Sequence, residues 1–138
     1  MLEGLRVGET IELERDIPAE WTIASLDPGL PAVFGTPAMI LLMEMAAAQG
    51  MGRFLPEGYI SVGVEVNVRH LAATPVGERV RARATVVEVA GRLVKFEIEA
   101  HDSQQLIGTG THIRSVVEVA RFLRRLENRL PAAGKEPV

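Results

Sequence analysis

The stretch from Val33 to Gly52, VFGTPAMILLMEMAAAQGMG, decides the fold. Thr36 followed by Pro37 is a strong helix start, because a threonine oxygen can cap a free amide and proline tolerates the first helical position. Gly50, Gly52 and Pro56 stop the helix. Between those ends nearly every face is apolar, so the helix is expected to be surrounded by protein instead of lying on a surface. Glu44 breaks the pattern as the only charged side chain between Asp27 and Arg53. With Gln49 it also interrupts the apolar run, which falls short of the ~20 residues that cross a bilayer. No membrane span is expected.

The chain length of 138 residues suits one domain, expected over residues 1–130 with a flexible tail at 131–138. Aromatic residues make up only 4%, so Val, Leu, Ile, Ala and Met must supply most of the packing. The lack of cysteine excludes a disulfide framework, thiolate metal ligands and a cysteine nucleophile. No apolar run follows the opening Met1-Leu2-Glu3-Gly4-Leu5-Arg6, and a cytoplasmic location is expected. A net charge of −3 argues against a nucleic-acid partner. Arginines cluster at Arg79/Arg81/Arg83 and at Arg121/Arg124/Arg125/Arg129. Both clusters read first as solvated faces, and second as an anion site for a phosphorylated cofactor.

Outward from the helix, the chain alternates with period two. Val7 to Arg15, VGETIELER, reads as a first strand, and the Pro- and Gly-punctuated segment from Pro18 to Pro37 as a loop. In ISVGVEVNVRH, Ile60, Val62, Val64, Val66, Val68 and His70 share one face of a long, half-buried strand. ERVRARATVVEVA, from Glu78 to Ala90, changes phase at Val87-Glu88-Val89, as a bulge would. RLVKFEIEAHD follows an Ala90-Gly91 turn, and QQLIGTGTHIRSVVE follows a turn near Asp102-Ser103. The segment from about Val116 to Leu130 carries Val119, Phe122, Leu123, Leu126 and Leu130 at helical spacing. The expected class is α+β: a curved antiparallel sheet wrapped around one long central helix, with a short C-terminal helix. Such a sheet leaves an edge and part of the helix uncovered, which favours a homodimer or a higher homo-oligomer.

Three polar residues occupy apolar places: Thr36 at the helix start, Glu44 within the helix, and His70 at the end of its strand's apolar face. Thr36 and Glu44 lie slightly over two turns apart on one side of the helix, and the three are expected to converge. A desolvated carboxylate, or one beside an imidazolium, is prepared for base or nucleophile chemistry. Each residue also has a structural reading: Glu44 reaching water through a gap between subunits, Thr36 capping the helix, His70 filling a strand. His112 in GTGTHIR competes with His70, and Gly108 and Gly110 beside it allow close approach of a ligand or of the helix, or a bend in the sheet. His70, His101 and His112 lack tight ligand spacing, so no metal site is expected.

Taken together, FGTPAMILLMEMA, VGVEVNVRHLAATPVGERVRARATV and AHDSQQLIGTGTHIR resemble the hotdog-fold acyl-CoA thioesterases, within them the group related to fluoroacetyl-CoA thioesterase. The resemblance runs from about Val7 to Arg114. It implies a hotdog fold and a catalytic set of Thr36, Glu44 and His70, with Gly63 and Arg114 as further site residues. Glu44 would attack the thioester carbonyl or activate water, His70 would assist proton transfer, and Thr36 would orient the reacting groups. No cofactor is implied beyond the CoA of the substrate. Members specialised for the fluorinated substrate carry aromatic residues before the helix; in SLDPGLPAVF, Phe34 is the only one. A small or short-chain acyl-CoA is therefore the expected substrate, with Phe34 lining its site.

Hydratases of this fold resemble one another in an Asp…His pair before the central helix, and LDPGLPAVFGTP has Asp27 but no histidine. Thioesterases of the hydroxybenzoyl type carry an Asp with a nearby Gly-His element, also missing. The alternative from another class is a non-catalytic acyl-CoA-binding module using the same cleft. Under the enzymatic reading, Glu44→Ala is expected to abolish turnover and to leave the fold intact or stabilised, by removing an unpaired buried charge.

Overall fold

The computed structural model describes residues 2–130, and the expected tail at 131–138 lies outside them. The chain forms β1 (Thr10–Asp16), two 3₁₀ turns at Ala19–Trp21 and Ile23–Ser25, and α1 (Thr36–Gly52). Then come β2 (Tyr59–His70), β3 (Arg79–Ala90), β4 (Leu93–His101), β5 (Leu106–Glu118) and α2 (Val119–Arg129). The five strands make one sheet in the order β1-β3-β4-β5-β2, every neighbouring pair antiparallel. The expected hairpins are present: Ala90 pairs with Leu93 across Gly91, whose φ of 62° suits glycine, and Asp102 Oδ1 accepts from the amides of Gln104 and Gln105.

Packing of α1 on the sheet makes the core. Met39, Leu42, Met43, Ala46, Ala47 and Met51 are fully buried at the spacing of one helix face, against Val80, Ala82, Ala84, Val94, Phe96 and Ile98. Small alanines at 46 and 47 let the backbone come close to the sheet. The opposite face is not covered by this chain: Leu41 is 45% exposed, and Met45 and Ala48 are partly open. The helix is thus two-sided, where its composition predicts burial all round.

Bulges set the phase of two strands. In β3 the register shifts between Val86 and Glu88, where the sequence changes phase. In β2 it shifts between Gly63 and Glu65, inside a run whose alternation shows no break. Residues directly opposite share a face, and Gly63 opposes Arg114 while Val66 opposes His112 and His70 opposes Gly108. The helix-facing side of β2 is therefore Ser61 and Gly63, then Val66, Val68 and His70. The single face expected from Ile60 to His70 is split: one extra residue moves Ile60 and Val62 to the other side. Sequence cannot show this shift because valines stand on both sides of it.

Boundaries move at two other places. β1 starts at Thr10 instead of Val7, since Gly8 adopts a φ of 98° and ends a turn. β5 pairs with β2 as far as Glu118, so α2 begins at Val119, and Leu123 and Leu126 on it remain exposed.

The two glycines of GTGTH serve different contacts. A Cβ at Gly108 would lie 2.5 Å from the Met39 sulfur, so Gly108 admits the central helix. At Gly110 it would run into the Asn67 carbonyl oxygen, so Gly110 permits close approach of β2. Backbone cannot yield as a methionine tip does. Gly110→Ala is expected to destabilise the fold by about 3 kcal/mol, lowering Tm by roughly 10 °C. Gly52→Ala, at a helix end with open space, should leave Tm unchanged or raise it; thermal unfolding of both checks the contrast.

Candidate active site

Thr36 is not the cap its position suggests. Gly35 is the N-cap, Thr36 is the first helical residue, and no side chain caps the helix. The threonine hydroxyl instead lies 2.7 Å from His70 Nδ1. Phe34, 2% exposed, meets the His70 ring edge-on at 6.4 Å and packs on Trp21. Ile23, Val33, Phe34, Leu71 and Ala72 line a cleft of about 380 Å³ into which Thr36 and His70 open. Nε2 of His70 is buried and has no hydrogen-bond partner among the described residues. Burial lowers the pKa of His70 below 6.5, which keeps the ring neutral at pH 7 and able to exchange one proton.

Glu44 belongs to a second cluster. Its Oε2 accepts from Arg114 Nη1 at 3.1 Å and lies 3.7 Å from His112 Nε2. Arg114 is 7% exposed and spends its other donors on β2: Nε donates to Ser61 Oγ and Nη2 to the Ser61 carbonyl, both at 2.9 Å. Burial lowers the Arg114 pKa and the adjacent Glu44 carboxylate opposes that change; the side chain stays a cation. Glu44 is half-open, its side chain 39% exposed. Gly63 lies over the cluster: a Cβ there would come 2.5 Å from Glu44 Oε2 and 3.2 Å from His112 Cε1. Glycine is needed because the carboxylate occupies a side chain's place.

Within one chain, then, the three expected residues form two groups. Thr36 and His70 touch; Glu44 stands eight residues along α1, about 12 Å by helical rise, with Arg114 and His112. Glu44 and His70 do not meet within the chain; the sequence leaves open whether such a pair forms within one subunit or across a dimer. Gly63 and Arg114 stand together at Glu44. His112, the rival to His70, is buried beside Glu44, and sequence gave it no such place because only the β2 bulge brings the Glu65 carbonyl to it, 2.7 Å from Nδ1.

The basic clusters separate. Arg79, Arg81 and Arg83 pair with Glu12, Glu14, Asp16 and Glu99 across the open face of the sheet. Arg121, Arg124, Arg125 and Arg129 make no ion pair among the described residues. Those residues hold no group of three or more acidic or His side chains placed for a metal, and no helix long and apolar enough to cross a membrane.

Two outcomes follow for stability. Glu44 is paired, contrary to the expectation that its removal relieves an unpaired charge, so Glu44→Ala strips a buried arginine of an acceptor. It should cost about 1–2 kcal/mol, tempered by the exposure of the carboxylate, while Glu44→Gln keeps an acceptor and loses less; denaturant unfolding measures both. Burial also lowers the His112 pKa, opposed by the Glu65 carbonyl, assisted by the Arg114 charge and opposed by Glu44. For His70 and His112 alike the unfolded chain takes up the proton first, so stability is full above about pH 6.5 and falls as pH drops below it. Tm measured from pH 7.5 to 5 should decline, and less steeply in His112→Phe.

The sequence and the fold have counterparts in known proteins. The family model of the fluoroacetyl-CoA-specific thioesterase FlK matches residues 18–120. The chain is 36% identical to the fluoroacetyl-CoA thioesterase of Streptantibioticus cattleyicolor, with 96% of this chain and 99% of that one covered. Among solved structures, the fluoroacetyl-CoA thioesterase FlK is similar at a TM-score of 0.88 and 35% identity, covering 94% of this chain and 100% of that one. A thioesterase superfamily member from Thermus thermophilus is similar at a TM-score of 0.84 and 30% identity, with 92% and 96% covered. A hot-dog-like protein from Thermanaerovibrio acidaminovorans is similar at a TM-score of 0.84 and 28% identity, with 91% and 93% covered. The architecture is the hotdog fold, as expected.

Proposed function

Because the chain belongs to the fluoroacetyl-CoA-specific thioesterase family, we propose that it hydrolyses the thioester of a small or short-chain acyl-CoA, releasing a carboxylic acid and CoA. One observation carries this reading: the carboxylate of Glu44, held by Arg114 in the space that Gly63 leaves free. A fixed, half-open carboxylate can attack the carbonyl carbon, expelling the CoA thiolate and forming an anhydride that water then cleaves. It can equally take a proton from water that attacks the carbonyl directly. Thr36 and His70 form the proton-handling pair. With hydrogen on Nδ1, His70 donates to the Thr36 hydroxyl, whose own hydrogen can point into the cleft and stabilise the leaving sulfur.

A second copy of the chain completes the reading. β2 is an edge strand with unpaired backbone groups, and Val64 and Val66 on it are exposed at 55% and 38%, near the open Leu41 face of α1. Pairing of two β2 edges would cover both, and would bring the Thr36/His70 cleft of one copy toward the Glu44 region of the pair. We place the homodimer in the cytoplasm, without metal or further cofactor. The stretch SLDPGLPAVF before α1 carries Phe34 alone, and that ring is packed on Trp21 and His70, which favours small acyl groups in general over the fluorinated one.

The test is thiol release from acyl-CoA esters of increasing chain length, with aryl esters included, by wild type, Glu44→Ala and Gly63→Ala. Wild type should turn over the smallest esters fastest and Glu44→Ala should be inactive. Gly63→Ala should lose roughly a hundredfold in kcat through a displaced carboxylate, with its fold retained because the displaced atom ends a flexible side chain. Saturable binding without turnover by wild type would establish a binding module instead. Sedimentation at micromolar concentration should give a dimer, and charged substitution of Val64 should split it.

A further inference from the structure

Resting on the thioesterase reading, we propose that His112 is a positioning residue: a neutral imidazole whose unprotonated Nε2 fixes the Arg114 donor that in turn fixes Glu44. The hydrogen placement follows from the neighbours. Nδ1 lies 2.7 Å from the carbonyl oxygen of Glu65, which can only accept, so Nδ1 carries the hydrogen. Nε2 is then a lone pair, and Arg114 Nη1, which can only donate, lies 3.2 Å from it. Nη1 has two hydrogens. One goes to His112 Nε2 and the other to Glu44 Oε2 at 3.1 Å; because the guanidinium is planar, the imidazole that fixes the first also fixes the plane in which the second points.

The surroundings hold the ring in this state. It is 1% exposed and stacks on Phe96 of β4, ring centroids 6.4 Å apart at 29°. The charged groups facing it are Glu44 from α1 and Arg114 from β5; from β2 it meets the backbone of Glu65. A proton on Nε2 would set two donors against each other at 3.2 Å and release Arg114 from its position. The bulge between Gly63 and Glu65 thereby acquires a chemical purpose: it turns a strand carbonyl inward to select the tautomer.

Ser61 holds only the Nε/Nη2 edge of the planar guanidinium, so loss of His112 leaves one hydrogen of Nη1 unsatisfied and lets the plane tilt about that edge, away from Glu44. The effect should fall on kcat and spare KM. Two replacements separate positioning from structural support. His112→Asn can still donate to the Glu65 carbonyl but offers Arg114 nothing, whereas His112→Gln can extend an oxygen to the position of Nε2.

The experiment combines steady-state hydrolysis, thermal unfolding and imidazole nitrogen NMR of the full chain. For wild type at pH 7.5 the spectrum should show His112 with hydrogen on Nδ1. His112→Asn and His112→Phe should lose roughly tenfold to a hundredfold in kcat at nearly constant KM, and His112→Gln should recover most of that loss, out of step with the Tm values. An imidazolium or an Nε2–H tautomer at His112 overturns the proposal independently of any assay. So do Asn and Gln variants whose kcat losses simply follow Tm, or an Asn variant with wild-type kcat in an active background. An inactive wild type would instead refute the thioesterase reading.

Discussion

A buried guanidinium organises this molecule. Arg114 is taken almost wholly out of water, and a buried cation is tolerated only where its donors are met. Ser61 meets two on β2, His112 shares one on β5, and Glu44 supplies the countercharge from the central helix. The interaction thus joins the three elements that enclose the site. It also explains a glycine in the middle of a strand, since the carboxylate lies where a side chain at position 63 would be.

The helix makes the same point from its other side. Its apolar residues divide between one face on the sheet and another that the chain leaves open beside the edge strand β2. Glu44 stands between the two. It is neither deeply buried nor fully hydrated, and a carboxylate so placed is both restrained and accessible. Thr36, released from capping because Gly35 occupies that position, gives its hydroxyl to His70. In the proposed hydrolysis one cluster fixes a carboxylate and the other handles a proton.

Much of the candidate site was legible as violations of pattern. A charge in an apolar helix, a histidine ending an apolar strand face and glycines within strands are each costly to a structure that does not use them. What eluded sequence reading was the partnership among them. Periodicity of two assigns alternating residues to one face only while the ladder is regular, and the β2 bulge breaks it among valines that mask the break. Ile60 and Val62 were misplaced for that reason, and His112 could not be joined to Glu44.

The sequence by itself determined the order of elements, the antiparallel hairpins, the central helix and the identity of the residues that repay inspection, because period, turn chemistry and breakers are local properties of the chain. Only the tertiary structure decided which polar groups meet. Hydrogen bonds across fifty or seventy residues, such as Arg114 to Ser61 and to Glu44, depend on register and on a single bulge. A one-residue shift there turns side chains to the opposite face, and no local signal records it.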